Sequence, residues 1–404
     1  MNMALKDDMQ AHFAERMAHV KPSAIRELLR LGADPGIISF AGGYPDPSLF
    51  PLDKLAAIFQ EAIIGQGRSS LQYTVSAGMP RLREQIAQRM TRDGVACSAD
   101  NILILQGAQQ GLDLVAKMLV DKGDLIVTEN PTFLGALIAF NPYEPRYAAI
   151  RMDHEGLDVE ELERLLEHGS TAKLLYTMPD FQNPTGVTMS LPRRRRLIEL
   201  ANRFELIVLE DTPYREVRYE GDALPALKSL DTQGRVIHLG SFSKILAPGL
   251  RLGWAVAAEQ LIHELGLLKL AADTQCSTLN MAAASLFLER HDIDAHIAVI
   301  RDTYRGKKDA MLAAIRASFP HDVSFTNPRG GMFTWLTFPN GFDTARFLAE
   351  HALPEGKVAY VPGATFFPVH EEVNHARMSY TVQSQAEIAK GVTALGQLLV
   401  AARG

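Results

Sequence analysis

The sequence predicts an α/β fold: a large doubly wound, mostly parallel sheet domain with a smaller α+β domain formed by both chain ends. Three observations predict it. Between about residues 55 and 290, short apolar runs alternate with stretches of helical spacing, the pattern of strand–crossover–strand units. The apolar runs end in polar or glycine-containing turns, as strands do that deliver side chains to one edge of a sheet. The chain has 404 residues, 47% hydrophobic and 22% charged, enough for one large domain and a smaller one. The expected division is 1–50 as an N-terminal arm and part of the small domain, 51–295 as the large domain, and 296–404 as the small C-terminal domain.

Bulk composition narrows the function. The net charge is −6 without a long basic block, which argues against nucleic acid as a partner. Cys97 and Cys276 are far apart, the twelve histidines form no ligand motif, and no metal is expected. No apolar run is long enough to span a bilayer and the N-terminus has no apolar signal core, so no membrane partner and a cytoplasmic location are expected. The run Arg193–Arg196 is expected on the polar face at the start of a helix after Pro192.

In order, residues 1–20 read as a polar amphipathic lead-in. Ser23 is a candidate N-cap for a helix whose apolar face holds Ile25, Leu28 and Leu29, with Arg26 pointing away. Ile38–Phe40 is a short strand, and the pair Gly42–Gly43 after it permits close backbone approach to a ligand or simply makes a turn. Tyr73 lies in a glycine-containing loop before the helix of Leu82–Glu84. Asn101–Leu105 reads as a buried strand and Leu112, Val115, Ala116 and Leu119 as the next helix. The turn between them, Gly107, Ala108 and Gln109, is an anion site in outline, because free N–H groups and the helix dipole favour negative charge.

Leu125–Val127 is a strand leading to Phe133. Lys173–Met178 is another and delivers the Asn183-Pro184-Thr185-Gly186 turn; Asn183 offers both a donor and an acceptor. Leu206–Leu209 ends in Asp211 and Tyr214. A carboxylate at the end of a buried strand is costly unless partnered; read alone, Asp211 could instead be a helix cap before Pro213, but with the lysine stretch downstream a cofactor role is favoured. Val236–Leu239 and Leu252–Val256 flank Ser241, Ser243, Lys244 and Arg251. A lysine in a dry setting is a neutral nucleophile and base near pH 7, as Schiff-base chemistry requires. The serines and the arginine supply donors for a phosphate dianion. The same stretch is also readable as a surface turn with a solvated lysine. Residues 259–290 look helical with a break at Cys276–Asn280, and a long helix follows His291. Gly330–Leu336, Val358–Gly363 and Ala376–Tyr380 are the last strands, and Arg377 in the final one can fork onto a carboxylate.

Ser241-Phe-Ser-Lys244 followed by Pro248-Gly-Leu-Arg251-Leu-Gly-Trp254 resembles the lysine motif of fold-type I aminotransferases, which carry pyridoxal 5'-phosphate. The chain resembles most the branch containing the 2-aminoadipate/kynurenine aminotransferases, from about Ser23 to the C-terminus. The resemblance implies amino-group transfer from an L-amino acid to a 2-oxo acid such as 2-oxoglutarate, with Lys244 holding the cofactor as an internal aldimine and serving as general base and acid. It implies that Asp211 partners the ring nitrogen, that Asn183 and Tyr214 bind the phenolic oxygen, and that Phe133 stacks on the ring. Gly107, Ala108, Gln109, Ser241, Ser243 and Arg251 would hold the phosphate, joined by Tyr73 of a partner subunit, hence a homodimer with shared sites. Arg377 and the Gly43 backbone would take the substrate α-carboxylate, with Asn183 beside them, and Arg26 would meet an acidic side chain. Two other functions remain open: a lyase or decarboxylase on the same scaffold, and a non-catalytic sensor of cofactor or amino acid. Related regulators fuse this domain to a DNA-binding winged helix, for which no room is expected before Ser23.

Overall fold

The computed structural model describes residues 9, 12–20 and 34–402. Its strands are β1 (Ile38–Ser39), β2 (Ile102–Leu105), β3 (Leu125–Asn130), β4 (Arg146–Asp153), β5 (Gly156–Leu157), β6 (Ala172–Thr177), β7 (Ile207–Asp211), β8 (Val236–Ser241), β9 (Gly253–Val256), β10 (Ser324–Phe325), β11 (Phe333–Thr337), β12 (Val358–Ala359), β13 (Val361–Pro362) and β14 (His375–Ser379). Eight of them form one sheet in the order β2-β9-β8-β7-β6-β3-β4-β5. β4, β3, β6, β7 and β8 run parallel, β9 runs antiparallel to both its neighbours, and β5 folds back on β4.

The central strands read as near-continuous apolar runs because helices cover both faces of the sheet. Successive side chains feed opposite faces: Leu209, Ile237 and Leu239 join one buried cluster, while Val208 and Val236 join another. At the sheet's end Leu103 and Leu105 pack one way, Ile102 and Ile104 the other.

A second, antiparallel sheet has the order β10-β11-β14-β13. β1 pairs in parallel with β12, Ile38 opposite Val358, which seats an early segment on a late one. The Phe40 carbonyl then accepts from the Ser379 N–H at 2.8 Å. The helix Ile293–Ser318 is capped by Asp292, and Gln385–Ala401 starts with a Ser384/Glu387 capping box. Among the described residues no helix is long and apolar enough to cross a membrane.

The arginine run departs from expectation at one position. The helix Leu191–Arg203 does begin at that run with Pro192 in its first turn, but Arg194 is fully buried. Its guanidinium donates to Asp180 at 2.9 Å and to the carbonyls of Pro179, Met189 and Pro225. Arg215 and Arg218 converge on the same carboxylate at 2.9 and 3.1 Å. Burial alone would raise the Asp180 carboxyl; the three guanidiniums outweigh it and hold it down at about 2. This cluster pins the start of the loop that carries Asn183. Arg26 lies outside the described residues.

Candidate active site

Parallel strands end along one edge of the sheet, and the expected polar side chains follow those ends. β2 leads to Gly107, β3 to Phe133, β6 to Asn183, β7 to Asp211 and β8 to Lys244.

Asp211 is 1% exposed. Its Oδ2 accepts from the Tyr176 hydroxyl at 3.0 Å, while its Oδ1 is buried without a partner. Burial pushes the carboxyl up to about 7 against that hydrogen bond. Tyr176 faces Leu209 across β6 and β7, so Asp211, two residues on, projects from the same face.

Lys244 follows β8 in a single 3-10 turn, its start capped by the Ser241 hydroxyl. Its Nζ donates to the Gly43 carbonyl at 2.8 Å. Burial, aided by Arg377 and Arg251, pushes the amine down to about 8. A Cβ at Gly43 would lie 2.8 Å from the Phe333 ring, so a side chain there would force one of the two to shift.

Arg377 is 3% exposed and lies over the rings of Phe333 and Phe366, 4.3 and 5.1 Å from their centroids. Nη1 donates to Asn183 Oδ1 at 2.9 Å, Nη2 donates to the Ala41 carbonyl at 2.7 Å, and Nε has no partner. Burial pulls the guanidinium down to about 10. Asn183 Nδ2 donates to the Tyr214 hydroxyl at 3.5 Å, and burial raises the Tyr214 phenol well above its ordinary value. Tyr214 and Phe333 meet edge to face at 5.7 Å.

The third group is an anion cup. Ser241 pairs with Gly253 across β8 and β9, and a Cβ on Gly253 would lie 2.9 Å from the Ala108 nitrogen. This close approach sets Ser241 beside the N-terminus of the helix Ala108–Leu119. Gly107 precedes that helix at φ 75°, a conformation glycine adopts without strain. Arg251, at φ 52°, directs Nη2 to the Gln106 carbonyl at 3.2 Å, next to Gly107. Ser241 Oγ donates to Ser243 Oγ at 2.9 Å. The Gln109 side chain reaches the Gly135 carbonyl at 2.7 Å, alongside Phe133, leaving its backbone for the cup.

A cup for a dianion, a depressed amine and a buried carboxyl with one open oxygen suit an aldehyde-bearing phosphorylated pyridine. The unpartnered Asp211 Oδ1 is the acceptor that a protonated ring nitrogen needs, so the residues fit pyridoxal phosphate. The family model for aminotransferase class I and II matches residues 40–395. The chain belongs to this family. This aminotransferase is 40% identical to aromatic-amino-acid aminotransferase 1 of Thermococcus litoralis, over 97% of this chain and 95% of that one. It is 37% identical to the 2-aminoadipate transaminase of Thermus thermophilus, over 96% of each. It superposes on the kynurenine aminotransferase of Pyrococcus horikoshii, solved with pyridoxamine phosphate and kynurenine, with a TM-score of 0.94 at 38% identity, covering 99% of this chain and all of that one. It is therefore a fold-type I enzyme that transfers amino groups with pyridoxal phosphate.

One described residue among those expected stands apart from the cluster in this aminotransferase. Tyr73 is 80% exposed, beside Gln275 and Ser277. Arg26 falls outside the described residues. Tyr176, Phe333 and Phe366, which shape the site, were not among the expected residues. Tyr176 was legible only once β6 and β7 were known to be neighbours.

Proposed function

We propose that Lys244 is the residue that carries the cofactor and moves the reacting proton. The observation that carries this reading is the buried Asp211 Oδ1 without a partner, on the strand beside the one that leads to Lys244. The bound cofactor supplies an electron-withdrawing ring and the carbonyl that accepts the amino group. Asp211, ionised against a protonated ring nitrogen, holds that ring electron-poor. Lys244 Nζ, pushed down to about 8, takes the proton from the substrate α-carbon and returns it as general acid. Asn183 and Tyr214 orient the phenolic oxygen, and Phe133 covers the ring. Gly107, Ala108, Gln109, Ser241, Ser243 and Arg251 bind the phosphate. Arg377, with the Gly43 backbone beside it, orients the substrate carboxylate.

The substrates in this reading are an L-amino acid and a 2-oxo acid, with 2-oxoglutarate as the acceptor to try first. The enzyme works in the cytoplasm as a homodimer in which Tyr73 of each subunit reaches the other's phosphate. Its exposure together with that of Leu71 and Val75, 80%, 65% and 55% in one chain, supports that role, since an exposed apolar stretch of this kind marks an interaction surface. The test is Lys244→Ala: visible absorbance from bound cofactor and turnover should both vanish. Full retention of either would overturn the assignment.

A further inference from the structure

A strained backbone turn links the phosphate cup to the exposed Tyr73 arm. Thr274 has φ 63° and ψ −53°, and the Gln275 N–H closes onto the Asp273 carbonyl at 2.6 Å. This is the positive-φ γ-turn, rare for any residue and an outlier for a β-branched one. Such a conformation persists only where its surroundings over-determine it. Both flanking residues are anchored, and the anchors lead to different places.

On one side, Asp273 accepts from Lys269 Nζ at 2.7 and 2.9 Å and from Gln110 Nε2 at 2.7 Å. Lys269 is fully buried, and its ammonium also donates to Gln110 Oε1 at 3.1 Å. The same Oε1 accepts from the Gln106 N–H at 2.9 Å, and the Gln106 carbonyl receives Arg251. Asp273 is thus two hydrogen bonds from the turn that forms the cup. On the other side, Gln275 Oε1 accepts from the Thr74 N–H, and Gln275 Nε2 donates to Thr278 Oγ1 at 2.8 Å. The residue next to Thr74 is Tyr73.

We propose that Gln275 is a positioning residue for cofactor binding: held by the strained Thr274 turn, it fixes the arm from which Tyr73 reaches the phosphate in the partner subunit. The buried Lys269–Asp273 pair is the other end of the brace, so one rigid unit sets both a subunit's own cup and the hydroxyl it lends. The inference rests on the shared-site reading of Tyr73.

The experiment measures the dissociation constant of pyridoxal phosphate for wild type, Tyr73→Phe, Gln275→Ala, the double variant and Gln275→Glu. Size-exclusion and thermal melts check that each dimer is intact. Tyr73→Phe and Gln275→Ala should each weaken binding about tenfold, the effect of one hydrogen bond to a charged group. The double variant should match Tyr73→Phe within about twofold, because Gln275 acts only through that hydroxyl. Gln275→Glu keeps an acceptor for Thr74 and should bind as wild type does. If Tyr73→Phe is silent, the shared-site reading falls and the inference with it. If Tyr73→Phe weakens binding while Gln275→Ala does not, or the double variant loses about a hundredfold, the brace alone is refuted. Equal loss in Gln275→Glu and Gln275→Ala would also refute it.

Discussion

Replacing Asp211 with asparagine removes a charge and keeps the shape, including an acceptor for the Tyr176 hydroxyl. In the cofactor-free protein the carboxyl stands at about 7 against an ordinary 3.8. At 1.36 kcal/mol per pK unit, ionising it inside the fold costs about 4 kcal/mol. The folded value lies above the unfolded one. The bound proton therefore stabilises the fold fully below about pH 4, and that stabilisation is lost as pH rises through about 7. Asparagine carries no such penalty. A chain of 404 residues at roughly 2 cal/mol/K each unfolds with about 0.8 kcal/mol/K, so about 4 kcal/mol amounts to about 5 °C. Cofactor-free Asp211→Asn should melt about that much above wild type at pH 8, with the two converging toward pH 4. The loaded enzyme should respond the opposite way. An amide cannot neutralise a protonated ring nitrogen, and truncating one partner of a buried charge pair costs about 3–5 kcal/mol; if that loss falls on the transition state, kcat should fall roughly 10²–10⁴-fold. Melts of the cofactor-free protein across pH, paired with cofactor titrations and steady-state kinetics of the loaded enzyme, check both halves. A variant that melts at or below wild type at pH 8, or that binds and turns over like wild type, would refute the reasoning.

Other outcomes are open to direct measurement. Arg377→Lys replaces a planar fork by a point charge and should raise KM for the amino donor roughly 10- to 100-fold with a smaller change in kcat, read from steady-state kinetics. Asp180→Asn leaves three guanidiniums around a neutral amide and should cost about 3–5 kcal/mol in denaturant titrations. Because the Asp180 carboxyl is held down at about 2, its contribution is present above pH 4 and fades as pH falls through about 2. Arg26→Ala should slow acidic donors more than neutral ones across an amino-acid panel; equal slowing would remove its role as selector.

The strands and the turns after them were readable because their signals are local. An apolar run ending in Glu210-Asp211, or a glycine between Leu105 and a helical stretch, announces its position within a few residues. What the sequence hid depends on partners far along the chain. Arg194 looked like one of four solvated arginines, yet it is fully buried because Asp180 and three carbonyls meet it. Tyr176 read as an ordinary strand residue until the register of β6 and β7 set it in line with Asp211. Thr274 gave no sign of its positive φ, since threonine disfavours that region and only the tertiary anchors enforce it.

The guanidinium of Arg377 is already engaged on both terminal nitrogens, to the Asn183 amide and the Ala41 carbonyl. The unpartnered Nε–H and the second proton on each terminal nitrogen remain for a carboxylate, which can take the fork beside these occupants. The amide already on Nη1 is the one that also touches the Tyr214 hydroxyl. One amide thus ties the group that would meet the substrate carboxylate to the hydroxyl that would meet the phenolic oxygen, so a change at Asn183 reaches both ends of the site at once.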